Sequence, residues 1–252
     1  MSNAPDSPPA APTGSYAPTG RTVPGRMRQW ASYDRNLVHS ILDEAFVCHL
    51  GFVREGRPVV LPTLYARIGE HLYLHGSVDS RPVRLAGGDG AETGEEGDGA
   101  EAVAAGLDVC VTVTHLDGLI LGRSAFRHSV NYRSVVAHGV AHRVTDPQET
   151  GRALRAIVEH VVPGRSADTR PPSAQELADV AVLRLDLNEV SAKTRTGGPN
   201  DEPRDDGLPH WSGRIPLTRA YGAPVPAADI TPGVALPDYL RRLVGPTPPD
   251  TD

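Results

Sequence analysis

The sequence has no run of 18 or more apolar residues, which excludes an ordinary membrane-spanning helix. Its beginning lacks the charged-then-apolar pattern of a secretory signal peptide, so a cytoplasmic location is expected. Cysteine is scarce. Cys48 and Cys110 sit inside apolar runs with no Cys-x-x-Cys spacing, and read as two buried, reduced thiols rather than a disulfide or zinc framework. An excess of positive charge is missing as well. Twenty-five Lys+Arg against 31 Asp+Glu give a formal charge of −6, which argues against a nucleic-acid partner. Neither a Gly-x-Ser-x-Gly elbow nor a Walker loop occurs, so nucleophilic hydrolysis and nucleoside-triphosphate chemistry have no support. Only 39% of residues are hydrophobic, so the core must be concentrated in part of the chain.

What the sequence has in abundance is Gly (26) and Pro (24), together about a fifth of the chain against an average near 12%. Much of this lies at the ends. Residues 1–24 hold almost nothing to bury and read as a disordered tail. Residues 218–252 form a Pro-rich extension in which 237–244 fit one short helix. An acidic, Gly-rich segment at 88–101 reads as a solvated surface insertion rather than a metal site, since nothing fixes its carboxylates in a coordination geometry. The remainder, 25–217, is one domain by length. Ser32 or Asp34 can cap a helix carrying Leu37, Val38, Ile41 and Leu42 at helical spacing. Strand-like runs follow at 46–54, 58–67, 71–75, 109–115, 119–126 and 132–144. The first three are separated by Glu55-Gly56 and Gly69-Glu70 at hairpin distance. A second helix fits 147–161 behind Asp146, and 182–190 alternates as a last strand. Six or seven antiparallel strands with flanking helices predict a closed or partly closed barrel, because closure removes exposed edges.

Three constellations can carry chemistry. His75-Gly76-Ser77-Val78-Asp79-Ser80-Arg81 ends a strand and opens a helix: Gly76 allows close approach, Ser77 and Ser80 offer hydroxyls, and Arg81 supplies a fork of donors, which are the parts of a phosphate cradle. Polar residues crowd the start of another strand at His128, Asn131, Tyr132, Arg133 and Ser134, where they make poor core and can face a ligand or a partner surface. Trp211, beside Gly213, can clamp a loop or close over a flat aromatic ligand. His138 and His142 share a strand face, but no third ligand is visible and no metal site is expected.

Together, the first helix, the strand 58–65 with Pro62 inside it, the His75-Gly76-Ser77 turn and the Asn131-Tyr132-Arg133-Ser134-Val135 strand opening resemble the pyridoxamine 5'-phosphate oxidase-like superfamily. The resemblance is narrower to its flavin-nucleotide-binding, nitroimidazole-resistance branch, and it covers about residues 25–217. It implies a split β-barrel homodimer with FMN in two clefts at the subunit interface. Pro62, Thr63 and Leu64 are then expected along the flavin ring. His75, Gly76, Ser77, Ser80 and Arg81 are expected on its phosphate. Asn131, Tyr132, Arg133 and Ser134 would come from the other subunit, with Trp211 near the ring's outer face. Relatives often carry Lys after the position of Arg81. Here it is Pro82, so charge compensation falls on Arg81 and Arg84.

The resemblance implies an FMN-dependent oxidoreductase that passes a hydride or electrons to a small flat substrate, the cofactor supplying the hard chemistry. Two alternatives stand beside it: a non-enzymatic flavin- or haem-binding module, and a haem-degrading enzyme on the same barrel, since one axial His suffices for haem. Oxidation of pyridoxamine phosphate ranks lower, for want of a basic pair to grip a substrate phosphate.

Overall fold

The structure, a computed structural model, describes residues 14–87 and 106–245. In chain order its strands and α-helices are β1 (Ala31–Ser32), α1 (Arg35–Glu44), β2 (Val47–Arg54), β3 (Arg57–Ile68), β4 (His71–Ser77), α2 (Arg81–Ala86), β5 (Leu107–Leu121), β6 (Ser129–Arg143), α3 (Pro147–Val161), α4 (Ala174–Ala178), β7 (Val180–Asp186), β8 (Glu189–Arg195), β9 (Gly213–Pro216) and α5 (Asp238–Val244). All strand pairings are antiparallel. Six strands close a ring in the order β6-β7-β4-β3-β2-β5, with β5 returning to β6. The other three extend it at the edges: β8 and β1 beyond β6, and β9 beyond β5.

Local chemistry accounts for these elements. Glu55 and Gly56 both take positive φ (49° and 70°), the two-residue turn whose twist suits the β2–β3 hairpin. Asp34 caps α1 by accepting from the Leu37 amide at 2.8 Å, and Asp146 caps α3 from Gln148 and Glu149. Alternation sends Val109, Val111 and Val113 into the barrel against Val135 and Ala137, where Leu50, Leu72, Leu74, Leu183 and Leu185 complete the core. α3 lies outside the ring and buries Ala153 and Ile157.

Several expected boundaries move. The runs 109–115 and 119–126 form a single strand, β5, because a bulge between Leu116 and Gly118 absorbs the break in alternation without ending the ladder. Phe126 falls instead in a short 3-10 turn. The run 182–190 divides into β7 and β8 around Leu187-Asn188; its alternation holds on both arms, so periodicity could not locate the turn. The expected tail 1–24 is shorter than it looked. Tyr16 is 3% exposed, its backbone amide donates to Tyr33, and its hydroxyl donates to Glu70 Oε2 at 2.9 Å, so one aromatic ring anchors a segment otherwise poor in core residues. Residues 1–13 and the 88–101 insertion lie outside the described residues. No described helix is long and apolar enough to cross a membrane.

Candidate functional site

β3 is longer than its neighbour. Its pairing with β4 stops at Tyr65↔Leu74, while β4 continues along β7 to Ser77↔Val180. Pro62, Thr63 and Leu64 pair only with β2, opposite His49, Cys48 and Val47. The edge of β3 facing away from β2 is therefore without a strand partner from Arg57 to Leu64 among the described residues. Backbone groups there are open to a ligand. The split runs directly into the β4–α2 turn. Ser77 Oγ accepts from the Asp79 amide at 3.3 Å, and Ser80 stands at the N-cap of α2 with Arg81 exposed behind it. A Cβ on Gly76 would lie 2.9 Å from Ser80 Oγ, so any larger residue there would push the Ser80 hydroxyl aside. Of the residues expected on the ring and the phosphate, Pro62, Thr63, Leu64, Gly76, Ser77, Ser80 and Arg81 thus flank one split, whereas the side chain of His75, also expected on the phosphate, turns to another cavity.

His75 opens a second feature. Leu72 and Leu74 point into the barrel, whereas Tyr73 packs outside with Ala153 of α3, and His75 shares that outer side. It lines a cavity of about 1150 Å³ with Leu154, Ile157, Val158, Leu177 and Val180. Arg152, Arg155 and Arg170 stand on the same cavity. Arg170 is paired with Glu176, whose carboxyl that hydrogen bond pulls down to about 2. His75 Nδ1 is buried with no hydrogen-bond partner among the described residues. Burial holds the imidazole pKa below its ordinary value, so the ring is neutral near pH 7.

The second expected group sits elsewhere on the sheet. Asn131 and Arg133 lie on β6, and Trp211 folds its ring over Gly213 of β9; Gly118 of β5 pairs with both Asn131 and Pro216. Most of these polar groups are engaged within the chain. Asn131 donates to the Gly197 carbonyl at 2.9 Å and accepts from Arg195 at 3.0 Å. Ser134 Oγ donates to the Lys193 carbonyl. Arg133 binds Asp117 through Nε and Nη2, both at 2.9 Å, and also binds Glu44; these bonds hold the Glu44 carboxyl below the usual range. The β5 bulge aims Asp117 at Arg133. Tyr132 is half-buried and Trp211 is 64% exposed. His138 and His142 belong to no group of three or more metal-ligating side chains among the described residues.

Arg133 also lines a second cavity, of about 790 Å³, with Glu44, Phe46, His115, Arg219 and Tyr221. The sequence reading passed over His115, though its alternation with Val109, Val111 and Val113 was the signal that it points inward. Arg152, Arg155 and Arg219 carried no such signal, because only tertiary packing brings them to a cavity.

A family model described as pyridoxamine 5'-phosphate oxidase matches residues 34–194. Among solved structures, the flavocytochrome Anf3 from Azotobacter vinelandii is 33% identical with a TM-score of 0.78, over 90% of this chain and 98% of that one. An FAD and haem binding protein from Mycobacterium smegmatis is 32% identical with a TM-score of 0.75, over 86% and 98%. A candidate 5-nitroimidazole antibiotic resistance protein from Bacteroides thetaiotaomicron is 21% identical with a TM-score of 0.49, over 65% and 85%. No curated protein sequence matches the chain.

Proposed function

This chain belongs to the pyridoxamine 5'-phosphate oxidase family, and from that premise we propose that it is a redox protein binding a flavin nucleotide at the β3–β4 split and a haem in the cavity beside it. The observation that carries the haem is His75. A half-buried imidazole, neutral near pH 7, whose buried Nδ1 has no partner among the described residues, on an apolar cavity just above the roughly 300–1,000 Å³ of ordinary cofactor sites, is suited to hold a haem iron. Arg152 and Arg155 put positive charge where haem carboxylates need compensation. The names of the two most similar solved structures mentioned above, a flavocytochrome and an FAD and haem binding protein, point the same way.

For the flavin, Pro62, Thr63 and Leu64 offer an unpaired strand edge to the ring. Gly76, Ser77, Ser80 and Arg81 offer the phosphate a close backbone, two hydroxyls and a guanidinium. FMN and FAD share this part. Bound flavin would supply hydride or electron transfer and bound haem one-electron chemistry, while the protein's own work is to hold, orient and exclude water. The small flat substrate expected for the flavin has room in the 790 Å³ cavity, since Phe46 on its wall precedes Val47, the pairing partner of Leu64. Asn131, Tyr132, Arg133, Ser134 and Trp211 remain candidates for the partner side of a shared cleft. Support for a homodimer comes from Val53 and Val60, each 62% exposed on the β2–β3 hairpin.

Absorption spectra of the purified protein test this directly, with flavin and haem supplied in excess and then removed by gel filtration. The expected outcome is flavin bands and a Soret band on one protein. His75→Ala should lose or shift the Soret band and keep the flavin. An unaltered Soret band in His75→Ala would overturn the axial assignment, and absence of flavin from the wild type would overturn the reading of the split.

A further inference from the structure

The second cavity is walled on one side by the segment Leu217, Thr218, Arg219, Ala220 and Tyr221, where the C-terminal extension leaves the barrel. On its floor, His115 is 3% exposed. His115 Nε2 lies 3.0 Å from the Ile41 carbonyl oxygen. A carbonyl only accepts, so Nε2 carries the proton and, in the neutral ring, Nδ1 is an acceptor. Arg219 Nη2 donates to that Nδ1 at 2.8 Å. Because a guanidinium only donates, this bond exists only while His115 is neutral.

A proton on Nδ1 would turn the bond into a contact between two cations. The charged ring has an acceptor waiting: Glu44 Oε1, at the end of α1, is 3.6 Å from His115 Nδ1 and also 3.6 Å from Arg219 Nη2. The other charges nearby are Asp117 on β5 and Arg133 on β6, which neutralise one another and also tie Glu44 in place. Protonation therefore transfers the favourable contact from Arg219 to Glu44. Arg219 is the member free to leave, with a side chain 67% exposed.

Little else holds the extension. After the Leu217 amide donates to the Asp117 carbonyl, no backbone hydrogen bond from 218–237 reaches the barrel among the described residues; the bonds at Ile230 and Val234 are local turns. The next side-chain anchor is Tyr239 on α5, which accepts from Arg165 and donates to Asp168. Among the described residues Arg219 is thus the one polar tether of some twenty residues.

We propose that residues 218–237 are a proton-sensitive strap, latched over the cavity by Arg219 on neutral His115 and released when His115 is protonated, which opens the cavity to small solutes. The latch is built from this chain's own residues and stands whether or not a flavin or haem binds.

A nitroxide at Ala223→Cys, in a Cys110→Ser background, reports the strap's mobility by electron paramagnetic resonance. The titration covers about pH 8 to 5, the range in which histidines change charge, with circular dichroism confirming the fold throughout. The spectrum should be immobile at the upper end and gain a mobile component as pH falls. Arg219→Ala should be mobile at every pH. His115→Gln, whose amide can still donate to Ile41 and accept from Arg219 but does not titrate, should stay immobile. The proposal is overturned by a wild-type spectrum that does not change, by an Arg219→Ala spectrum as immobile as wild type, or by a folded His115→Gln that follows the wild-type curve. If His115→Gln does not fold, the first two measurements decide.

Discussion

Two histidines, the buried His115 and the half-buried His75, illustrate how the environment of the two ring nitrogens decides what an imidazole is for. His115 has both nitrogens occupied, by Ile41 and Arg219, and is placed to latch the C-terminal strap. His75 has a buried nitrogen with no partner among the described residues, in a cavity large enough for a cofactor. Sequence spacing named His75 for its place before a Gly-Ser turn. It could not foresee that the side chain faces away from the barrel beneath α3. Nor could it foresee that Asn131, Arg133 and Ser134 are engaged within their own chain, because the groups that occupy them arrive from residues 44, 117 and 193–197. Two predictions belong at this scale. Arg81→Ala should weaken flavin-nucleotide binding by about 2 kcal/mol or more, through loss of a charge-assisted contact, with Arg81→Lys intermediate and riboflavin nearly indifferent to both. Fluorescence titration of both ligands checks it, and an equal loss for riboflavin would remove Arg81 from the phosphate. The second concerns pH. Burial lowers the folded pKa of His75 and, with Arg67 adding to the effect, that of His39. The unfolded chain therefore binds more protons below about 6.5, and this stability is full above that value and is lost as pH falls toward the folded pKa values. Urea melts of cofactor-free protein should show the decline, and His75→Gln should flatten it; identical slopes would clear His75 of the effect.

At the scale of elements, what could be read in advance was whatever local chemistry decides. The Asp146 cap with Pro147 behind it set α3 at Pro147–Val161 as expected, and Glu55-Gly56 set the β2–β3 hairpin. Elements decided by tertiary pairing were illegible: β9 has four residues, exists because β5 overhangs beside it, and carries no pattern of its own. The split in the barrel was implied by the family resemblance, but its position was not legible in local pattern, since it arises from the length of β3 beyond its pairing with β4. Local decisions should have local costs. Gly56→Val puts a β-branched side chain at φ 70° and should destabilise the fold by about 1–2 kcal/mol. Asp146→Ala should cost about 1 kcal/mol by leaving the Gln148 and Glu149 amides uncapped. Thermal melts compare the two, and a Gly56→Val protein as stable as wild type would mean that the turn relaxes to another type.

For the whole molecule, the argument for a partner rests on which apolar residues the barrel cannot use. Val109, Val111 and Val113 are spent on the interior, so the apolar residues that call for cover are outward ones: Val53 and Val60 at 62%, Leu116 at 57% and Val140 at 42%, on β2, β3, β5 and β6. Val53 and Val60 share the β2–β3 hairpin with the β3 edge that lacks a strand partner from Arg57 to Leu64 among the described residues, and an uncovered apolar edge of that length is a hazard that proteins ordinarily mask. A second copy of the chain, burying about 1,600 Å² in total, would cover both features and bring the Asn131–Ser134 region of one chain toward the split of the other. Light scattering at micromolar concentration should then give a mass near twice the 26.8 kDa of one chain. Val60→Asp sets a carboxylate on that face without touching the core, and should lower the mass to that of one chain while circular dichroism stays unchanged. If the cleft is shared, flavin should be lost from Val60→Asp together with the partner. A monomeric wild type that still binds flavin would mean that one barrel suffices for the site, and Asn131, Tyr132, Arg133, Ser134 and Trp211 would then have no route to the cofactor.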